Sequence, residues 1–142
     1  MKLSTRSRYG TRLMLDLARH YGEGPVQIGE IAKREEISVK YLEQLIIPLK
    51  KVGFIRSVRG PKGGHELAIP PEKVTIGRIV QVLEGGVHLS DCVVYPEQCP
   101  RSNSCLTRDV WKDATDAMYE ELESVTLAIV LKRGEKPKQK TQ

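Results

Sequence analysis

Aromatic side chains are scarce in this chain: one Phe, one Trp and five Tyr among 142 residues. Any core must therefore be aliphatic, and the 39% hydrophobic content supports one of modest size. No apolar run approaches the roughly 20 residues that a membrane span needs. The leading MKLSTRSRYG has no apolar signal-peptide centre, so a cytoplasmic protein without membrane attachment is expected. The three histidines, His20, His65 and His88, stand in no motif with a nucleophile. No glycine-rich phosphate loop opens a helix either, which speaks against an enzyme. Cysteines number three, an odd count that argues against a disulfide framework and for metal or redox chemistry.

The net charge of +5 hides a division along the chain. Residues 1–70 hold thirteen Lys/Arg against seven Asp/Glu, and residues 71–131 hold five against ten. Residues 132–142 return to a net charge of +4. The basic first half has the field that attracts a phosphate backbone. The acidic middle is expected to face away from it.

The stretch from Ile31 to Gly64, IAKREEISVKYLEQLIIPLKKVGFIRSVRGPKGG, organises the rest. It reads as two short helices joined by a turn at Glu36-Ile37-Ser38, followed by a hairpin. Ser38 is placed to cap the second helix. Leu42, Leu45, Ile46 and Leu49 recur at helical spacing and bury one side of it. The opposite side carries Val39, Lys40, Glu43 and Gln44 near the end that a helix-turn-helix presents to base edges in the major groove. Pro48 lacks the N–H that would bond the Gln44 carbonyl, so a kink or an early end at Ile47 is expected. Phe54–Val58 and His65–Ile69 read as strands around a glycine-rich tip carrying Arg59 and Lys62. A minor groove about 6 Å wide admits an arginine on so bare a backbone. Helix, turn, capped helix and basic hairpin in this order point to a winged helix that binds double-stranded DNA.

Around this centre, Thr5 to Tyr21 reads as a first helix bearing Arg6, Arg8, Arg12 and Arg19. His20 lies near its C-terminal end, where partial positive charge is favoured, and is not expected to be a ligand. Val26 to Ile28 offers a third short strand beside the wing. Thr75 to Leu83 is a further helix, capped by Thr75 and stopped by Gly85-Gly86. From Val87 to Ser104 hydrophobic periodicity vanishes, and loops of this length within a small protein are usually functional or disordered. Leu106 to Leu131 gives the longest helical pattern, with Trp111, Ala114, Met118, Leu122, Val125 and Ile129 forming a seam. Such a helix would extend about 36–39 Å at 1.5 Å per residue, too far for its own domain to cover. The same helix of a second chain is the economical partner.

Cys92, Cys99 and Cys105 lie on the irregular segment, and thiolates so spaced can converge on a soft metal or cluster. Cys105, near a helix N-terminus, is favoured as thiolate. Spacing alone leaves zinc, an iron–sulfur cluster and a thiol switch open, and a cluster needs a fourth ligand from elsewhere.

Three segments carry a resemblance: KLSTRSRYGTRLMLDLA, ISVKYLEQLIIPLKKVGFIRSVRGPKGG, and the cysteine segment closing with Cys105-Leu-Thr-Arg-Asp-Val-Trp111. Over nearly the whole chain except the tail, the sequence resembles IscR-type transcription regulators, the iron–sulfur members of the Rrf winged-helix family. The resemblance implies a homodimer joined by long C-terminal helices. It implies operator binding tuned by a 2Fe–2S cluster, or alternatively a 4Fe–4S cluster, on the cysteine loop. The family's DNA-reading positions fall on Glu43, Gln44 and Arg59, while Lys40 replaces a serine of the best-known member. The histidine that completes the IscR cluster is replaced by Arg108, and the aspartate used by a nitric-oxide-sensing relative is replaced by Arg8. Asp109, His88 and Asp91 are candidate substitutes, and a small thiol or water could also complete the site. Some relatives lack a cluster and respond through a protein partner.

The expected architecture is mainly α with a small β-hairpin wing: a winged helix-turn-helix plus a long C-terminal dimerisation helix. A DNA-binding domain spans 1–84, a cluster loop 85–105, a dimerisation helix 106–131 and a disordered basic tail 132–142. Lys40, Glu43 and Gln44 are expected to read bases, and Arg59 to enter the minor groove. Arg6, Arg8, Lys50 and Lys62 are expected on phosphates. The expected activity is that of a regulator, most simply a repressor, controlled by an iron–sulfur cluster on Cys92, Cys99 and Cys105. The alternative is a clusterless regulator or protein-interaction module whose cysteines hold structural zinc or form a thiol switch.

Overall fold

The computed structural model describes residues 2–135. Seven helices, α1 Thr5–Arg19, α2 Ile28–Glu35, α3 Val39–Lys51, α4 Ile76–Glu84, α5 Asp91–Val94, α6 Arg108–Glu123 and α7 Leu127–Glu135, surround one antiparallel hairpin. The hairpin strands are β1 Ile55–Val58 and β2 Gly64–Leu67, in register Ile55↔Leu67 through Val58↔Gly64. No helix among the described residues is long and apolar enough to cross a membrane.

The core is aliphatic. Leu13, Met14 and Leu17 of α1, Ile31 of α2, Leu42, Leu45 and Leu49 of α3, Leu67 of β2 and Ile79 of α4 are all at most 1% exposed. Burying an aliphatic side chain of this size contributes about 1.5–3 kcal/mol. At Gly10 a Cβ would stand 2.1 Å from Leu83 Cδ1, so the missing side chain is what lets α1 and α4 meet so closely. Serine and threonine set the helix starts. Ser4, Ser38 and Thr75 each accept from the backbone N–H three residues on, at 3.1, 3.2 and 3.1 Å. Glu36 ends α2 in the left-handed region at φ 54°, which turns the chain into α3.

Three long-range ion pairs join α2 to α1, the loosest being Arg19–Glu35 at 3.9 Å. Asp16, whose side chain is 1% exposed, is held by both arms of Arg34 at 2.9 and 2.8 Å. Arg12 of α1 reaches both the carboxylate of Glu35, at 3.1 Å, and its backbone carbonyl. Arg12 is thereby engaged with α2, although its side chain is still 43% exposed.

Several sequence expectations are corrected. Pro48 does not end α3, which continues to Lys51. The carbonyl that loses its partner belongs to exposed Gln44, where solvent can satisfy it. The third strand beside the wing is a single bridge, with Val26 and His65 exchanging two hydrogen bonds at 2.8 Å. The long helix expected over 106–131 is two helices. Between them Val125 O accepts from Ile76 N at 2.8 Å and Leu127 N donates to Val74 O at 2.9 Å, so the backbone leaves the helix to pair with the segment before α4. Thr126 Oγ1 then caps α7 by accepting from Ile129 N. Leu127 is fully buried, and α7 packs against α1. Residues 132–135, expected in the tail, belong to α7. The remainder of that tail, 136–142, lies outside the described residues.

Candidate nucleic-acid interface

α3 is the centre of the candidate site. Its inner stripe is buried, and Lys40, Glu43 and Gln44 are all exposed on the other side together with Ile47, which is 67% exposed. The wing stands beside it. Lys50 and Glu43 act on the charge of His65 in β2: burial and the Lys50 ammonium push the imidazole below its ordinary pKa, and Glu43 opposes them. His65 Nδ1 lies 2.9 Å from Ser57 Oγ on the paired strand, a cross-strand contact that sequence alone did not reveal.

The wing tip is a backbone device. A Cβ on Gly63 would stand 2.1 Å from Val58 O, and one on Gly64 would stand 2.3 Å from Val26 O. Gly63 N donates to Gly60 O at 2.9 Å and closes the turn. Arg59 and Lys62 are both exposed there. Arg56, in contrast, is paired across the hairpin with Glu66 at 2.9 Å.

The first helix reaches the same neighbourhood. Tyr9 meets Tyr41 of α3 edge to face, with centroids 5.9 Å apart. The Arg8 guanidinium lies 6.0 Å from the Tyr9 ring centroid. Arg6 and Arg8 are exposed on the first turns of α1. Below them Glu84, the last residue of α4, accepts from Ser4 N at 2.8 Å, Ser4 Oγ at 2.6 Å and Ser7 Oγ at 2.6 Å. These bonds, led by the Ser4 hydroxyl, hold its carboxyl below the ordinary range. The α1 N-terminus is thus tied to the point where Gly85-Gly86 releases the cysteine loop.

That loop contains two helical turns, α5 and Pro96–Gln98, instead of being wholly irregular. Its thiols are all half-buried. Cys92 Sγ is 3.2 Å from Ser90 Oγ, and Cys105 Sγ is 3.3 Å from Thr107 Oγ1. The Thr107 hydroxyl, with the backbone N–H groups of Thr107 and Arg108, lowers the pKa of Cys105 and favours its thiolate. Arg108 cannot ligate; its Nε donates to Cys92 O at 3.0 Å and straps the loop to α6. Among the described residues, no three His, Cys, Asp or Glu side chains converge closely enough to hold a metal ion. The thiols suit a soft metal by chemistry but stand apart in this structure, and His88 Nδ1 is buried without a hydrogen-bond partner.

The model of the Rrf2 family, described as an iron-dependent transcriptional regulator, matches residues 3–133. The chain is 48% identical over 132 residues to protein rrf2 of Nitratidesulfovibrio vulgaris, covering 93% of this chain and 88% of that protein. It is 40% identical over 127 residues to the HTH-type transcriptional regulator CymR of Bacillus subtilis, covering 89% and 87% of the two. The solved structure of T. potens IscR matches with a TM-score of 0.80 at 40% identity, covering 100% of this chain and 93% of that one. CymR, the global cysteine regulator of B. subtilis, matches with a TM-score of 0.79 at 36% identity, covering 94% and 98%.

Proposed function

Because the chain belongs to the Rrf2 family of transcriptional regulators, we propose that it is a homodimeric, sequence-specific repressor that binds operator DNA in the cytoplasm. The observation that carries this reading is the exposed outer face of a capped α3 beside a bare, cationic wing tip. Lys40, Glu43 and Gln44 enter the major groove and meet base edges, Glu43 partly by rejecting bases that present an acceptor. Arg59 enters the minor groove. Arg6, Arg8, Lys50 and Lys62 contact phosphates and set the register. A second copy is supported by exposed Leu106, Val110 and Trp111 at and before the start of α6, which a partner helix would cover. Two reading heads then engage half-sites about 34–36 Å apart.

The cysteine loop is the sensor in this reading. Cys92, Cys99 and Cys105 hold an iron–sulfur cluster, 2Fe–2S in the first instance and 4Fe–4S as the alternative, which supplies a redox- and iron-sensitive group. This chain's residues provide the mechanical link: Arg108 ties the loop to α6, and Glu84 ties its origin to the α1 N-terminus. A second reading is favoured by the thiols standing apart: a clusterless regulator in which they act as a thiol switch.

Anisotropy titrations on operator duplex test the DNA assignment. Arg59→Ala is expected to weaken binding by about 1–3 kcal/mol at matched salt, and affinity should fall steeply with salt through counterion release. Unchanged affinity removes the wing from the interface. Salt-insensitive binding removes DNA as the partner.

A further inference from the structure

Two isoleucines stand side by side in α3 and meet opposite surroundings. Ile46 is 5% exposed, while Ile47 is 67% exposed. The core takes Leu42, Leu45, Ile46 and Leu49 from this helix and leaves Ile47 out. A lone apolar side chain on a surface needs no explanation by itself. What distinguishes Ile47 is its position.

Lys40, Glu43, Gln44 and Ile47 follow one another at intervals of three, one and three residues, and all four are exposed. At 3.6 residues per turn, the step from Lys40 to Ile47 is nearly two whole turns. The two side chains therefore share one line along the helix, about 10 Å apart. A helix lying in the major groove reaches successive bases with this spacing, as a homeodomain's third helix does. Cations surround the line: Lys50 and Lys51 at the end of α3, and Arg59 and Lys62 on the wing, are exposed. A polyanionic duplex is the partner whose charge fits that surround.

Isoleucine has neither donor nor acceptor to offer. Against the amino group of adenine or cytosine, or the O6 of guanine, it would displace water and return no hydrogen bond. The thymine C5-methyl is the apolar group that base edges present in the major groove. We propose that Ile47 is a specificity-determining residue that packs against a thymine methyl. The assignment rests on the DNA reading above and adds an apolar contact to its polar ones.

The test uses the full chain to select duplexes from a random-sequence pool. Each recurrent thymine is then replaced in turn by deoxyuridine, in both half-sites, which removes the methyl and keeps the base pair. Anisotropy at matched salt should find a thymine whose replacement weakens wild-type binding about fourfold per half-site, the scale of burying one methyl-sized group. Ile47→Ala should bring that ratio close to one, and Ile47→Val, which keeps the branch nearest the helix, should retain part of it. Responses at other thymines should match wild type in both variants. Thermal unfolding reports whether each variant is folded, and at a position outside the core both are expected to be.

A wild type that binds thymine and deoxyuridine duplexes alike at every position overturns the assignment. So does an Ile47→Ala variant that loses affinity equally on both or keeps the wild-type ratio. In each of those cases the selected sequence preference leaves the DNA reading standing. A wild type that recovers no preferred sequence from the pool overturns both.

Discussion

Buried apolar side chains run from Leu13 to Leu83 and resume only at Leu127. Across the cysteine loop and into α6, by contrast, Leu89, Val94, Tyr95, Leu106, Val110 and Trp111 are all exposed. The first region, closed by Leu127 of α7, forms one buried cluster that gives α3 and the wing a fixed mount. The second exposes more apolar surface than a free loop and helix favour, and it carries metal-type donors that do not meet. The proposed reading surface lies on the first part, and the proposed sensor on the second.

The largest effect that would sharpen this contrast is a truncation on each side of it. Leu45→Ala, in a 1% exposed position, is expected to lower the unfolding free energy by about 2–5 kcal/mol. Trp111→Ala, 43% exposed, is expected to change monomer stability by about 0.5 kcal/mol or less and to dissociate the dimer. Urea unfolding with sedimentation velocity reads both. Should Trp111→Ala destabilise dilute, monomeric protein as much as Leu45→Ala does, the division between the regions is wrong.

A smaller effect tests the mount itself. Arg34→Ala leaves the Asp16 carboxylate, 1% exposed, without its bidentate partner, at a cost on the order of 3 kcal/mol. Adding Asp16→Asn should recover part of that loss in the same unfolding assay. No recovery would mean that Arg34 acts through packing and not through charge.

The smallest effect concerns the seam between the regions. Glu84 has a folded pKa below its unfolded value of about 4.3, so folding favours its ionised form. Its contribution is complete above the unfolded pKa and is lost as the pH falls through the folded one. Glu84→Gln should flatten that acid limb of the stability curve by on the order of 1 kcal/mol or less. Unfolding midpoints followed from pH 6 to pH 3 check it; parallel limbs would remove Glu84 as the pin.

The recognition helix was legible because its signals are local: a serine cap, then leucines and isoleucine at spacings of three and four. The break at Ser124-Val125-Thr126 was not, because Val125 and Ile129 continue the rhythm of α6 across it. What ends that helix is pairing with Val74 and Ile76, some fifty residues earlier in the sequence, and the hydrophobic pattern is blind to it. The Asp16–Arg34 lock escaped for the same reason, since neither residue announces a partner 18 positions away. The cysteines were found by their type, and their separation in space could not be.

The wing carries one more consequence. Gly63 and Gly64 each face a backbone carbonyl at a distance no side chain tolerates, so the hairpin's shape is closed to adjustment at those two sites. A saturation library over residues 59–64 selected against altered operators would recover substitutions mainly at Arg59, Pro61 and Lys62. New operator preferences would have to be acquired by exchanging what the loop carries, because its outline is already spoken for.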